Sequence, residues 1–153
     1  MRKLIAAILI LVMGLGMAAC KKNDINVKEL QKINGNMLEI HTTPQGPMTE
    51  EDLEIYSTTI TVKYSGEIVF PFNDGNLDPK MKDEDYQTIY GICYDAVKTD
   101  KFRDYSEEVD DGTTYSFTFY DENGAAHNFY SGYIYNNKEL SKILDIIGNY
   151  SID

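Results

Sequence analysis

Two alternating stretches in the middle of the chain pair well in only one register, and that register fixes the first piece of the fold. Ile60 and Val62 share one face of an extended segment, with Thr59, Thr61 and Lys63 on the other. Beyond Tyr64-Ser65-Gly66, the residues Ile68, Phe70 and Phe72 again share a face. A two-residue Ser65-Gly66 loop would set Val62 opposite Val69 and turn Ile68 and Phe70 to the wrong side, because a one-residue slip inverts every side chain. A three-residue loop pairs Val62 with Ile68 and Ile60 with Phe70. It also sets Lys63 across from Glu67, a favourable cross-strand pair. Gly66 then stands where a type I turn with a G1 bulge needs a positive φ. The strand expected before this turn is Ile55–Lys63, and Pro71 ends the ladder after it.

A second hairpin follows the same logic. Tyr115, Phe117 and Phe119 share a face, and Thr114, Ser116, Thr118 and Tyr120 share the opposite one. Asp121-Glu122-Asn123-Gly124 has the residues of a type I turn. A loop of residues 122–124 sets Phe117 opposite Phe129 and Phe119 opposite His127, and Gly132 marks a bulge or the strand end. A further strand is expected at Met37–Thr43, where Leu38, Ile40 and Thr42 alternate with Glu39 and His41. Pro44, Gly46 and Pro47 break it, and an irregular polar loop is expected through Asp52.

Two segments switch to helical period. Asp83 is placed to cap a helix over Asp83–Thr99, with Glu84 and Asp85 at its positive end. Tyr86, Ile89, Tyr90, Cys93, Ala96 and Val97 form its apolar face. Asn136 is placed to cap a second helix, with Glu139 reaching back. Leu140, Ile143, Leu144 and Ile147 are its core face, and Gly148 its stop. The expected fold is α+β: an antiparallel sheet of about five strands, ordered β, ββ hairpin, α, ββ hairpin, α, with two helices packed on one face. The other face is left to solvent.

The first 36 residues have a different character. Arg2 and Lys3 precede an apolar run that ends in small residues and Cys20. The apolar part is shorter than the roughly 20 residues of a spanning helix and has the three-part layout of a secretory signal. Residues 1–19 are read as that signal, 20–36 as a tether and 37–153 as one domain. A short helical turn over Val27–Ile33 fits within the tether.

Met17-Ala18-Ala19-Cys20 resembles the lipobox of bacterial lipoproteins, with Met17 where that pattern prefers Leu or Val. The resemblance implies that the Cys20 thiol carries a diacylglyceryl group, that the chain is cut before it, and that the new amine takes a further acyl chain such as palmitate. It implies anchoring at the cell membrane or the outer membrane, on the extracytoplasmic side. A lipidated Cys20 would leave Cys93, the other of the two cysteines, without a partner for a disulfide. The rest of the chain is similar to small, uncharacterised bacterial secreted proteins and lipoproteins. The likeness lies in the Leu38–Met48 strand and loop, the Gly66 turn, the Asp-Glu-Asn-Gly hairpin, Ser131-Gly132-Tyr133 and the closing Leu/Ile helix. It implies no activity that could be carried over to a residue.

Charge and motifs narrow the function. The chain holds 25 acidic against 14 basic residues, a net charge of −11. That excludes nucleic acid as an expected partner, because such binding runs on Lys and Arg neutralising phosphates. It also argues against a polybasic grip on anionic lipid. No HExxH, CxxC, GxSxG or P-loop pattern occurs, so no catalytic residue, metal ligand or cofactor is assigned. Residues 73–78 and Glu107–Asp111 offer oxygens without calcium-loop spacing and read as solvated turns. Cys93, on an apolar helix face, reads as a buried inert thiol. The solvated sheet face is the candidate interaction surface. It is expected to carry Tyr120, Tyr130, Thr118, Asn128 and His41, with Ser116, Glu39, Thr59 and Thr61 around them. Tyr and Asn suit recognition, although Thr and Tyr are also ordinary residues of exposed strands. The expected function is a membrane-anchored, non-catalytic binding domain with an envelope protein or peptide as partner. The alternative is a protein inhibitor or immunity-like factor. An unrecognised hydrolase stands behind both.

Overall fold

The computed structural model describes residues 25–72, 78–109 and 112–151. The expected signal, Cys20 and most of the 73–78 turn lie outside the described residues. The described elements, in chain order, are α1 (Val27–Leu30), β1 (Asn36–Gln45), α2 (Glu50–Tyr56), β2 (Thr58–Lys63), β3 (Ile68–Val69), α3 (Asp83–Thr99), β4 (Gly112–Tyr120), β5 (Ala126–Gly132) and α4 (Lys138–Gly148). The fold is α+β. Its five strands form one antiparallel sheet in the order β3-β2-β1-β4-β5. No described helix is long and apolar enough to cross a membrane.

The first hairpin adopts the three-residue loop. Val62 pairs with Ile68 and Thr61 with Val69. Lys63 Nζ lies 3.1 Å from Glu67 Oε2, and Gly66 has φ +88°. Strand β3 is only two residues long, so the expected Ile60–Phe70 pairing is not part of the ladder.

One core joins the sheet to the long helices. Leu38, Ile40, Val62, Ile68, Phe117 and Phe119 are buried on the sheet side. Tyr86, Ile89, Tyr90, Cys93 and Ala96 meet them from α3, and Leu140, Ile143 and Ile147 from α4. These are the faces that helical spacing predicts, with Val97 and Leu144 at the margin. Cys93 is fully buried, and burial pushes its thiol pKa far up, so it is held protonated and inert.

The helix starts differ from expectation by one residue each. Lys82, not Asp83, is the N-cap of α3, and its side chain accepts no hydrogen bond. Its backbone N–H donates instead to the Tyr150 hydroxyl at 2.9 Å, and that hydroxyl donates to Asp85 Oδ2 at 2.6 Å. The α4 cap is Asn137, whose Oδ1 accepts from the backbone N–H groups of Glu139 and Leu140. Asn136 is drawn away to Glu107, which accepts from its backbone N–H at 2.9 Å.

Two further helices appear where a tether and a loop were expected. In the first, Val27 and Leu30 sit in the core, with α1 packed on α3. Gln31 Nε2 donates to Asp83 Oδ1 at 3.2 Å. The packed unit thus includes residues 25–36, because α3 offers an apolar wall that Val27 and Leu30 cover. In the second, α2 occupies the start of the predicted Ile55–Lys63 strand. The Thr49 hydroxyl accepts from Asp52 N–H and the Asp52 carboxylate accepts from Thr49 N–H, both at 3.1 Å, a capping box. None of the α2 residues is buried.

Candidate functional site

Strand pairing lines up the open face in rows. Thr61, Glu39, Thr118 and Asn128 form one row across β2, β1, β4 and β5. Thr59, His41, Ser116 and Ser131 form the next. Alternation puts these polar side chains opposite the core, except Ser131, which a bulge brings there. None of the eight is buried.

The polar groups are held in place by one another. Glu39 accepts from the Tyr120 hydroxyl at Oε2 and from Asn36 Nδ2 at Oε1, each at 2.7 Å. Both carboxylate oxygens are therefore oriented. The bond to Glu39 is the main reason that the Tyr120 phenol is raised above its usual pKa, since ionisation would set two anions side by side. Asn128 Nδ2 donates to Ser116 Oγ at 2.8 Å and to Thr118 Oγ1 at 3.3 Å. His41 Nδ1 lies 3.0 Å from Thr59 Oγ1, and the residue is exposed. The arrangement offers one fixed carboxylate, one imidazole and a field of hydroxyls. These groups are hydrogen-bond donors and acceptors set side by side on an accessible surface.

Tyr120, Thr118, Asn128 and His41 come together as expected; Tyr130 does not. The register slips between Phe117 and Thr118, so that Phe117 faces Tyr130 while Thr118 faces Asn128. Phe129 is the extra residue of a β-bulge. Up to the bulge the register is the predicted one, with Phe119 opposite His127. Past it every side chain changes side, and Tyr130 enters the core at 3% exposure. Its hydroxyl donates to the Tyr133 carbonyl, and its ring meets Phe102 edge-on, with centroids 6.2 Å apart. Ser131 takes the place on the open face. The adjacent aromatics Phe129-Tyr130 were the available signal, since strict alternation cannot bury both. Asn36 was missed as a second donor to Glu39 because it precedes a bulge at Met37.

The remaining polar candidates belong to turns. His127 Nε2 lies 3.2 Å from Asp121 Oδ2. Asp121 Oδ1 accepts the backbone N–H groups of Asn123 and Ala125, each at 2.9 Å. The bond from Ala125 and then that from His127 hold the Asp121 carboxyl below its usual pKa. Glu107 is bound by the Tyr105 hydroxyl and by Asn136, and so fastens its loop to the start of α4. Asp110 and Asp111 lie outside the described residues. Among the described residues, no group of three His, Cys, Asp or Glu side chains is placed to hold a metal ion. No family model, curated protein or solved structure matches this chain.

Proposed function

We propose that this chain is a lipid-anchored, extracytoplasmic, non-catalytic binding domain that meets an envelope protein or peptide with its open sheet face. The observation that carries the reading is the Glu39 carboxylate, oriented at both oxygens by Tyr120 and Asn36 in the middle of a hydroxyl-rich surface. A side-chain network ordered before contact lowers the entropic cost of binding. The anchor rests on the sequence of residues 1–20 and on the lipobox resemblance at Met17–Cys20. Two or more acyl chains would hold the domain firmly, at about 0.8 kcal/mol per buried CH₂.

Each part has its own test. Growth with an alkyne-palmitate analogue should label the wild type and leave Cys20→Ser unlabelled; equal labelling would remove the anchor from the account. Capture from an envelope extract should recover a defined partner with the wild type and lose it with Glu39→Gln/Asn128→Ala. Identical partner sets from both proteins would count against the face.

A second reading, the inhibitor or immunity-like factor, is favoured by α2. This helix presents Ile55 at 57% and Tyr56 at 60% exposure from an acidic segment. A projecting apolar tip suits insertion into a partner's cleft. Stoichiometric inhibition of an enzyme encoded nearby, lost on Ile55→Ser/Tyr56→Ser, would replace the first reading with this one.

A further inference from the structure

On the helical side of the molecule, away from the open sheet face, a groove of 590 Å³ runs between α1 and the middle of α3. Ile25, Leu30, Tyr90 and Tyr94 supply apolar and aromatic walls, and Gly91 keeps the floor low. Tyr86, Tyr90 and Tyr94 follow one another at four-residue spacing. Their rings stack with centroids 6.4 and 5.9 Å apart. Tyr90 is held edge-on against Phe119 at 5.6 Å, so this wall is rigid. The rim is acidic: Glu29, Asp95 and Glu122 all border the groove.

The three carboxylates are not equivalent. Glu29 has Lys32 at 2.7 Å and Asp95 has Lys101 at 3.6 Å. Glu122 has no ion-pair partner among the described residues. Its Oε1 accepts from the Tyr90 hydroxyl at 3.1 Å, which fixes the carboxylate at the groove edge. Beneath it Tyr86 is wholly buried, and its hydroxyl finds no hydrogen-bond partner among the described residues.

We propose that this groove docks a basic, partly apolar peptide segment of a partner protein, with an Arg or Lys head on Glu122 and its aliphatic stem on Ile25 and Leu30. Charge complementarity selects this occupant. A guanidinium or ammonium gains a charge-assisted bond to an oriented carboxylate; the Tyr94 ring, already covered by Lys98 Nζ at 5.6 Å from its centroid, offers apolar contact rather than a free π-face. Its methylene stem covers the apolar wall. An acidic segment or an anionic lipid headgroup would be repelled by the rim and by the chain's charge of −11. A wholly apolar segment would leave the rim carboxylates facing hydrocarbon.

The test is a nitrogen–proton NMR titration of the full-length protein at physiological salt. The probe is the peptide acetyl-Leu-Arg-Leu-Lys-amide, with acetyl-Leu-Glu-Leu-Glu-amide as control. Saturable shifts confined to the neighbourhood of Gly91, Tyr94 and Glu122 are expected with the basic peptide and none with the acidic one. Glu122→Gln should weaken binding at least about fivefold, and Tyr94→Ala, at an exposed position, about threefold through lost apolar contact. Glu108→Gln, an exposed carboxylate outside the groove, should leave the affinity unchanged. The spectrum of each variant reports its folding directly. No saturable shift, shifts centred on the Glu39 face, or an affinity indifferent to both groove variants would overturn the proposal. None of these results would decide the role of the sheet face, which the envelope capture tests separately.

Discussion

Tyr120 donates a 2.7 Å hydrogen bond to Glu39 from a diagonal position across the β1–β4 pair, while Thr118 occupies the place directly opposite. A long aromatic side chain can span that diagonal. The contact ties the end of β4 to the centre of β1 and gives the open face its one oriented anion.

Removing that contact should cost little stability and change a titration. Tyr120→Phe is expected to destabilise the protein by about 1 kcal/mol, read from urea midpoints. Because the Tyr120 phenol is raised mainly by Glu39, Glu39→Gln should bring its titration back toward the usual tyrosine value. A folded-state pKa raised above the unfolded one gives stability that is present below the unfolded pKa and lost as pH rises through the folded one. The tyrosinate absorbance of the wild type compared with Glu39→Gln checks the shift.

Tyr130 should behave as a core residue. Tyr130→Ala is expected to cost about 3–5 kcal/mol, and Tyr130→Phe about 1 kcal/mol for the lost bond to the Tyr133 carbonyl. Chemical denaturation separates the two. Neither Tyr130→Phe nor its parent should differ in partner capture, because the ring never reaches the open face.

The Tyr130 error shows where sequence reading stops. Turn residues and alternation settled the first hairpin, because a wrong loop length would have stranded Ile68 and Phe70. They settled the second hairpin only as far as Phe119–His127. A bulge adds one residue without a turn signature of its own, and its consequence is a change of side for everything beyond it. Helix α2 escaped for a different reason. It buries no residue, so it has no apolar period to find, and only the Thr49-to-Asp52 capping box announced it. Helix α1 was legible as a turn but not as core, because the wall that buries Val27 and Leu30 belongs to α3, more than fifty positions later. The open face was legible in four of its five named residues, since alternation alone assigns Tyr120, Thr118, Asn128 and His41.

Acid should loosen the loop that leads into β4. The Tyr105 hydroxyl, and after it the Asn136 N–H, hold the Glu107 carboxyl below its usual pKa. A depressed folded-state pKa gives stability that is present above the unfolded value and lost as pH falls through the folded one. Urea midpoints are therefore expected to fall as pH drops below the ordinary glutamate value of about 4.3, and Glu107→Gln should flatten part of that slope. The same bond pushes Tyr105 up to about 12, so its contribution persists through neutral pH and disappears only in strong alkali.

Gly66 should resist substitution. Its φ of +88° lies where a side chain is strained, although an added Cβ would meet nothing nearer than 3.6 Å. Gly66→Ala is expected to cost about 1–2 kcal/mol through the backbone alone, while Gly66→Asn should recover part of it. Thermal melts of the two variants provide the comparison.

The most direct test of the account is photo-crosslinking in the cell envelope. A photoreactive residue is placed at Thr118, on the open face, or at Gln87, exposed on α3. Position 118 is predicted to give a discrete adduct with one partner, lost when Glu39→Gln is added, while position 87 gives none of that species. The same adducts from both positions, or none from position 118, would contradict the assignment of the sheet face as the binding surface.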